Sequence, residues 1–326
     1  MSPAVPAWFA ASLAAPCESV FVEVEPGINI HCLRWGRSDP SQPKKRGLVF
    51  VHGGGANAEW FRFIAPFFSK EFDCVAISNS GCGDSSCRPH KYDLDSWSEE
   101  VLACCEQLGL EGGDGLKPYL VAHSLGSFVV TNLLSRLRAA SKFAGVVLCD
   151  GAIRSYKSAR ALHDHMIAQQ PHRPPPRTGW ARNPTTITPL SRFKLRPLQP
   201  CENEYILNFL AESNTRLVAE ETCWEWKGDF NRDAKVDWSS FPVLTNEHVS
   251  QIARAGVQVC WVYGQDSLLC DSKVAAFVRR ELGNEIGIVG MPCAAHHLWL
   301  DQPLAFVGVL QGLFAGWALS HESSKL

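Results

Sequence analysis

Six short apolar runs, spaced by segments of helical pattern, constrain this chain more than any other feature. They are "GLVFVHG", "CVAISNSG", "PYLVAHS", "AGVVLCDG", "VQVCWVYG" and "IGIVGM". Each is nearly continuous in apolar residues, the pattern of a strand buried on both faces of a parallel sheet. Between most of them lie "AEWFRFIAPFFSK", "DSWSEEVLACCEQLGL", "SFVVTNLLSRLRAA" and "SKVAAFVRRELG", all with helical spacing, and "PLAFVGVLQGLFAGWAL" closes the chain. This alternation predicts an α/β fold with a doubly wound, mostly parallel sheet and right-handed crossovers. Upstream, "ESVFVEVEPGINIHCLRWG" alternates on both sides of Pro26-Gly27 and predicts an N-terminal antiparallel β-hairpin. In such sheets a site forms at the carboxyl ends of the strands.

One interval breaks the rhythm. From about Gly151 to Thr245 no strand of this type occurs, and the stretch is too long for a plain loop. The expected organisation is a core of residues 1–150 and 246–326 with an inserted, mainly helical cap, or lid, at 151–245. "ENEYILNFLAESNTRLVAEE" reads as its helix, and Trp180, Trp224, Trp226, Phe230, Trp238 and Phe241 as its aromatic content. Residues 151–200 hold nine Lys or Arg against one acid, and residues 201–246 nine acids against four Lys or Arg. Either the two halves face and neutralise each other, or the basic half attracts an anionic substrate.

Composition narrows the partners. A net charge of −2 over 326 residues gives no reason to expect nucleic acid or an anionic membrane. Thirteen cysteines, an odd number without a CxxC pair, read as free thiols in a reducing, cytoplasmic setting. The opening stretch lacks Lys or Arg before its apolar part, which Pro6 interrupts. A short packed helix, "AWFAASLAA", is expected there rather than a signal peptide. No later run reads as the ~18 apolar residues of a membrane span.

Chemistry enters at "LVAHSLGSFVV". A strand, a tight turn and a helix meet at Ser124, and a turn that sharp crowds the residues two places to either side. Ala122 and Gly126 are small enough. The strain exposes the hydroxyl, and the Leu125 N–H behind it points to where an oxyanion would form. A serine needs a base. His296 and His297, in "MPCAAHHLWLDQP", follow the last strand-like run, whereas His123 is expected to point away. The base needs an orienting carboxylate. Asp266, just past a strand end in "VYGQDSLL", is the choice, with Asp150 in "LCDG" as its rival. "VFVHGGGANAEW" ends a strand in three glycines; Gly54 could supply a second oxyanion N–H. Gly53, Gly55, Trp224 and Trp226 are candidate substrate-binding residues. The glycines lack the lysine and hydroxyl of a phosphate loop, and "GCGDSS" lacks the third glycine of a dinucleotide fingerprint.

In this order, His-Gly-Gly-Gly, serine elbow, Asp, His, the elements resemble the α/β-hydrolase fold superfamily, from about Cys32 to Leu319 excepting the cap. "SGCGDS" is similar to that family's G-x-G-x-S turn, with Ser78 where an aspartate is usual; Ala122 replaces the elbow's first glycine, and Ala295 the glycine common before the histidine. The resemblance favours His296 over His297, since His296 stands seven residues before Pro303. It implies a triad Ser124–Asp266–His296 and a serine hydrolase that cleaves esters of a small, partly apolar molecule through an acyl-enzyme. No metal and no organic cofactor are implied. Carbon–carbon bond hydrolases, lactonases, amidases, cofactor-free peroxidases and slow-turnover ligand receptors share the same constellation.

Overall fold

The computed structural model describes residues 5–37, 41, 43–169, 182–218, 222–229, 235–237 and 244–323. The hairpin forms as expected, β1 (Glu18–Glu25) against β2 (Ile28–Trp35). The apolar runs become β3 (Arg46–Val51), β4 (Phe72–Ile77), β5 (Tyr119–His123) and β6 (Gly145–Cys149) before the insertion. The insertion carries β7 (Asn183–Pro184), β8 (Thr215–Val218) and β9 (Cys223–Trp226); β10 (Gln258–Gly264) and β11 (Gly287–Met291) follow it. Eight strands make one sheet in the order β1-β2-β4-β3-β5-β6-β10-β11, parallel from β4 to β11.

Burial follows from the lack of alternation in the runs. Along β5, Tyr119 and Val121 enter the apolar layer on one face, and Leu120 and Ala122 the layer on the other. One layer is closed by the helix Leu94–Gln107, whose first turn is capped by the Asp93 side chain accepting the Ser96 N–H. The other is closed by the C-terminal helix Pro303–Ser323 through Phe306, Val307, Leu310, Phe314 and Trp317.

The structure departs from these expectations in some places and adds to them in others. "AEWFRFIAPFFSK" forms two short 3₁₀ turns, Ala58–Phe61 and Ala65–Phe68, rather than one helix. Pro66 opens the second turn, and a proline has no N–H to continue a helix across that point. The insertion has the helical content expected, in Tyr156–Gln169, Pro189–Arg192 and Glu204–Ser213, and adds an unexpected antiparallel sheet, β7-β9-β8. "NTRLV" leaves the helix because Asn214 folds its Nδ2 back onto Leu210 O, and Thr215–Val218 then pair with β9. Arg160 pairs with Asp164 and Arg216 with Glu225 within one half, and Lys227 pairs with Asp84 outside the insertion. Finally, Pro303–Ser320 is long and apolar enough by composition to cross a membrane, at mean hydropathy 1.5. Its four Leu, two Val and two Phe and its lack of charge raise that mean, although Gln311 and three glycines break the apolar run. Trp180, Phe230, Trp238 and Phe241 lie outside the described residues. All thirteen cysteines are free thiols.

Candidate active site

The elbow has the strained geometry its spacing implies. Ser124 sits at φ 49° and ψ −115°, between the end of β5 and the helix Leu125–Thr131. Its N–H donates to Cys149 O at 2.9 Å, which ties the end of β5 to the end of β6. Gly126 is required sterically, because a Cβ there would lie 2.6 Å from Val51 O and 2.7 Å from His52 O. Ala122 is fully buried in the sheet.

Beside the elbow lie the glycines. A Cβ on Gly53 would stand 3.0 Å from Ser124 Cβ and 2.7 Å from His123 Nδ1, so this backbone passes directly over the serine. Gly54 is Leu125's neighbour: a Cβ there would lie 3.8 Å from Leu125 Cδ2. Gly55, at φ 77°, turns the chain with open space around it.

The structure corrects the choice of carboxylate. His296 Nδ1 lies 2.7 Å from Asp150 Oδ2, and both side chains are buried. Asp150 also accepts the Gly264 N–H at 3.0 Å and the Ser267 hydroxyl at 2.6 Å. Three donors thus hold one carboxylate, itself strained at φ 48°. Asp266 instead anchors its backbone N–H on Ala294 O, and its exposed side chain borders a cleft of about 700 Å³ with Leu198 and Cys293. The chain order Ser–Asp–His survives the exchange. A signal for Asp150 was available: an aspartate ends the run "GVVLCD", on the strand next to the one that ends in the serine.

His123 was expected to point away. It turns inward, is buried, and its Nε2–H donates to His296 O at 2.9 Å. Burial and its two histidine neighbours depress its pKa well below the usual imidazole range. His297 stacks edge-on to His296 and tilted to Trp60, and its backbone N–H donates to Gln199 Oε1. Burial lowers its pKa to about 3, so it is neutral at pH 7. The three imidazoles could each offer a metal-ligand atom within 4.8 Å of the others. However, His296 Nδ1 and His123 Nε2 are committed to hydrogen bonds, and Gly53 backs His123 Nδ1. The geometry suits mutual packing of histidines better than a ligand set.

The insertion sits over this edge. Asn57 Nδ2 donates to Asn214 Oδ1 at 2.7 Å, and the Asp229 N–H to Gly81 O at 2.9 Å. Gln199 Nε2 donates to Asp301 Oδ2, which also accepts the Ala295 N–H just before His296. Trp224 is buried, with its Nε1–H on Ile187 O at 2.7 Å. Trp226 is half-buried and extends an aromatic series through Phe193 and Trp60 to His297. Of the two tryptophans, Trp226 alone leaves surface for a ligand.

Comparison with known proteins follows the same outline. A family model described as the alpha/beta hydrolase family matches residues 48–309. The chain is 35% identical over 86 residues, 26% of its length, to the dihydrolipoyllysine-residue acetyltransferase component of the acetoin cleaving system of Pseudomonas putida. It is 26% identical over 118 residues, 36% of its length, to a bifunctional esterase/perhydrolase of Acinetobacter calcoaceticus. These matches span 22% and 39% of the two relatives' own lengths. Among solved structures, the thioesterase domain from the curacin biosynthetic pathway superposes with a TM-score of 0.69 at 18% identity, covering 91% of this chain and 99% of that one.

Proposed function

The chain belongs to the alpha/beta hydrolase family, and from that premise we propose that it is an esterase-like hydrolase that cleaves esters of a small, partly apolar molecule with Ser124, His296 and Asp150 as its triad. The observation that carries this reading is the three-donor grip on Asp150. A carboxylate can only accept from His296 Nδ1–H, which leaves the Nε2 lone pair as the base. In this reading Ser124 Oγ attacks the carbonyl as its proton passes to His296 Nε2. The Leu125 and Gly54 N–H groups receive the oxyanion, and the alcohol leaves with the proton from Nε2. Water, deprotonated by the same nitrogen, then releases the acid. Asp150 stays ionised throughout, holding the tautomer and balancing the imidazolium. Residues 151–245 act as the cap; Trp226, Gly53 and Gly55 border the substrate. Free thiols throughout support a reducing, cytoplasmic location.

The test is hydrolysis of p-nitrophenyl esters of several chain lengths by the protein and by Ser124→Ala. Loss of the nucleophile is expected to lower kcat by a factor on the order of 10⁵ to 10⁶. Undiminished activity in the variant would refute the proposal. The match to an esterase/perhydrolase supports adding hydrogen peroxide to the same assay as a second acyl acceptor.

A further inference from the structure

A histidine that takes a proton from one oxygen and gives it to another must be held closely, since a misplacement of about 1 Å costs roughly 100-fold in rate. His296 lies on a loop between β11 and the short helix Leu298–Asp301, so no sheet or helix ladder fixes its backbone. Side chains do so instead, at three consecutive residues. Asp301 Oδ2 accepts the Ala295 N–H at 2.8 Å. The His296 carbonyl accepts from His123 Nε2 at 2.9 Å. The His297 N–H donates to Gln199 Oε1 at 3.0 Å. His123 and Asp301 belong to the core, whereas Gln199 comes from the insertion, 98 residues before His297 in the chain.

Gln199 does more than hold one N–H. Its Nε2 donates at 3.0 Å to Asp301 Oδ2, the same oxygen that accepts the Ala295 N–H. A backbone N–H only donates, so the Gln199 oxygen faces His297 and its nitrogen faces Asp301. One amide thus ties the residue after His296 to the carboxylate that holds the residue before it. Ala295, Asp301, Gln199 and His297 close a ring around the base. A lone hydrogen bond here would only anchor the insertion; a grip on both flanks of His296 fixes the direction in which its imidazole leaves the backbone. The segment that delivers the amide is itself restrained. Pro197 and Pro200 limit the backbone on either side of Gln199. Leu195 is buried, and Asn203 Nδ2 donates to Leu300 O at 2.7 Å and to Asp301 O at 3.1 Å.

We infer that Gln199 is a positioning residue for the base: its amide, delivered by the insertion, holds both flanks of His296 and so aims the imidazole between Ser124 and Asp150. The inference rests on the serine-esterase reading above. Gln199 acts through the backbone of the histidine loop. The core alone supplies two of the three grips, so the insertion completes the base as well as covering the site. Loss of the amide should slow proton transfer and leave ground-state binding of a small ester nearly alone.

The experiment compares Gln199→Met, Gln199→Ala and Asn203→Ala on one small p-nitrophenyl ester. Melting temperatures are read alongside, with the rate at which a small fluorophosphonate labels Ser124, a reaction that needs the same base. Met matches Gln closely in length and lacks the amide. Both Gln199 variants are expected to lower kcat by about 10- to 100-fold, with KM within about threefold and labelling slowed in parallel. Asn203→Ala removes two bonds between the insertion and the same short helix. It should lower melting by a comparable amount yet keep kcat within about threefold. If the unaltered protein neither hydrolyses esters nor labels at Ser124, the esterase reading fails, and this inference with it. If it does both, three results each overturn the positioning role alone: full kcat in a stably folded Gln199 variant, a fall in kcat with labelling undiminished, or an equal fall in kcat in Asn203→Ala. Should Met fail to fold, the Ala variant still decides.

Discussion

Two regions of the molecule face each other across the strand ends and are built differently. On the sheet side, each proposed triad residue is held from several elements: Ser124 by Cys149 and the crowding of Gly126 and Gly53, Asp150 by Gly264, Ser267 and His296, and the His296 carbonyl by His123. Three of the four described non-glycine residues with positive φ, Ser124, Asp150 and Cys293, lie at this edge. On the opposite side, the insertion carries a small three-stranded sheet, packs Leu195, Ile206 and Leu210 into one apolar layer of the core, and adds polar anchors such as Asn57–Asn214. The contrast teaches where each kind of information resides. Chemistry is set by backbone constraints that tolerate few residue types. Most of the insertion's side chains must only be apolar and of adequate size, which many sequences satisfy.

Substitutions on the two sides should part accordingly. Gly126→Val should break the elbow, because its side chain would meet two backbone carbonyls that cannot move aside. The expected result is little soluble protein or a melting temperature many degrees lower, whereas Gly54→Ala, whose Cβ would make only ordinary van der Waals contact with Leu125, should fold normally. A Gly126→Val variant with native melting would erase the contrast. Trp224→Ala should destabilise the insertion by about 3–5 kcal/mol, the cost of emptying a buried aromatic site; limited proteolysis and calorimetry would read it. Trp226→Ala should leave melting nearly unchanged and raise KM for bulky esters by roughly threefold to tenfold, about 1 kcal/mol of lost contact. Equal effects of the two on stability would mean that Trp226 is packing and not a ligand wall. Smallest of all, Arg192→Ala with Arg196→Ala should leave KM for neutral esters unchanged, since both side chains are exposed. A KM that rises for acidic esters alone would favour the anionic-substrate reading.

The sheet and the sharp turn at Ser124 were legible because they are written in local patterns. Continuous apolar runs mark strands covered on both faces, and small residues at Ala122 and Gly126 mark a turn that admits nothing larger. Asp150 is harder to read, because position along the chain does not tell which strand-end carboxylate turns inward. Both Asp150 and Asp266 follow a strand in the same sheet; only packing distinguishes the buried one from the exposed one. His123 was misread for a related reason. A strand alternates its side chains, but the partner that receives His123, the His296 carbonyl, arrives from a loop 173 residues away. The β7-β9-β8 sheet escaped notice because its strands run two to four residues, too short to carry a period.

The central claim is that Asp150, not Asp266, completes the triad. It is tested most directly by kcat/KM of Asp150→Asn and Asp266→Asn on one p-nitrophenyl ester, with melting temperatures measured on both. Asp150→Asn should lose about four orders of magnitude, the scale of disabling a triad carboxylate, while Asp266→Asn stays within about twofold of the unaltered protein. A folded Asp150→Asn variant of full activity, or a collapse of activity in Asp266→Asn, would contradict the account.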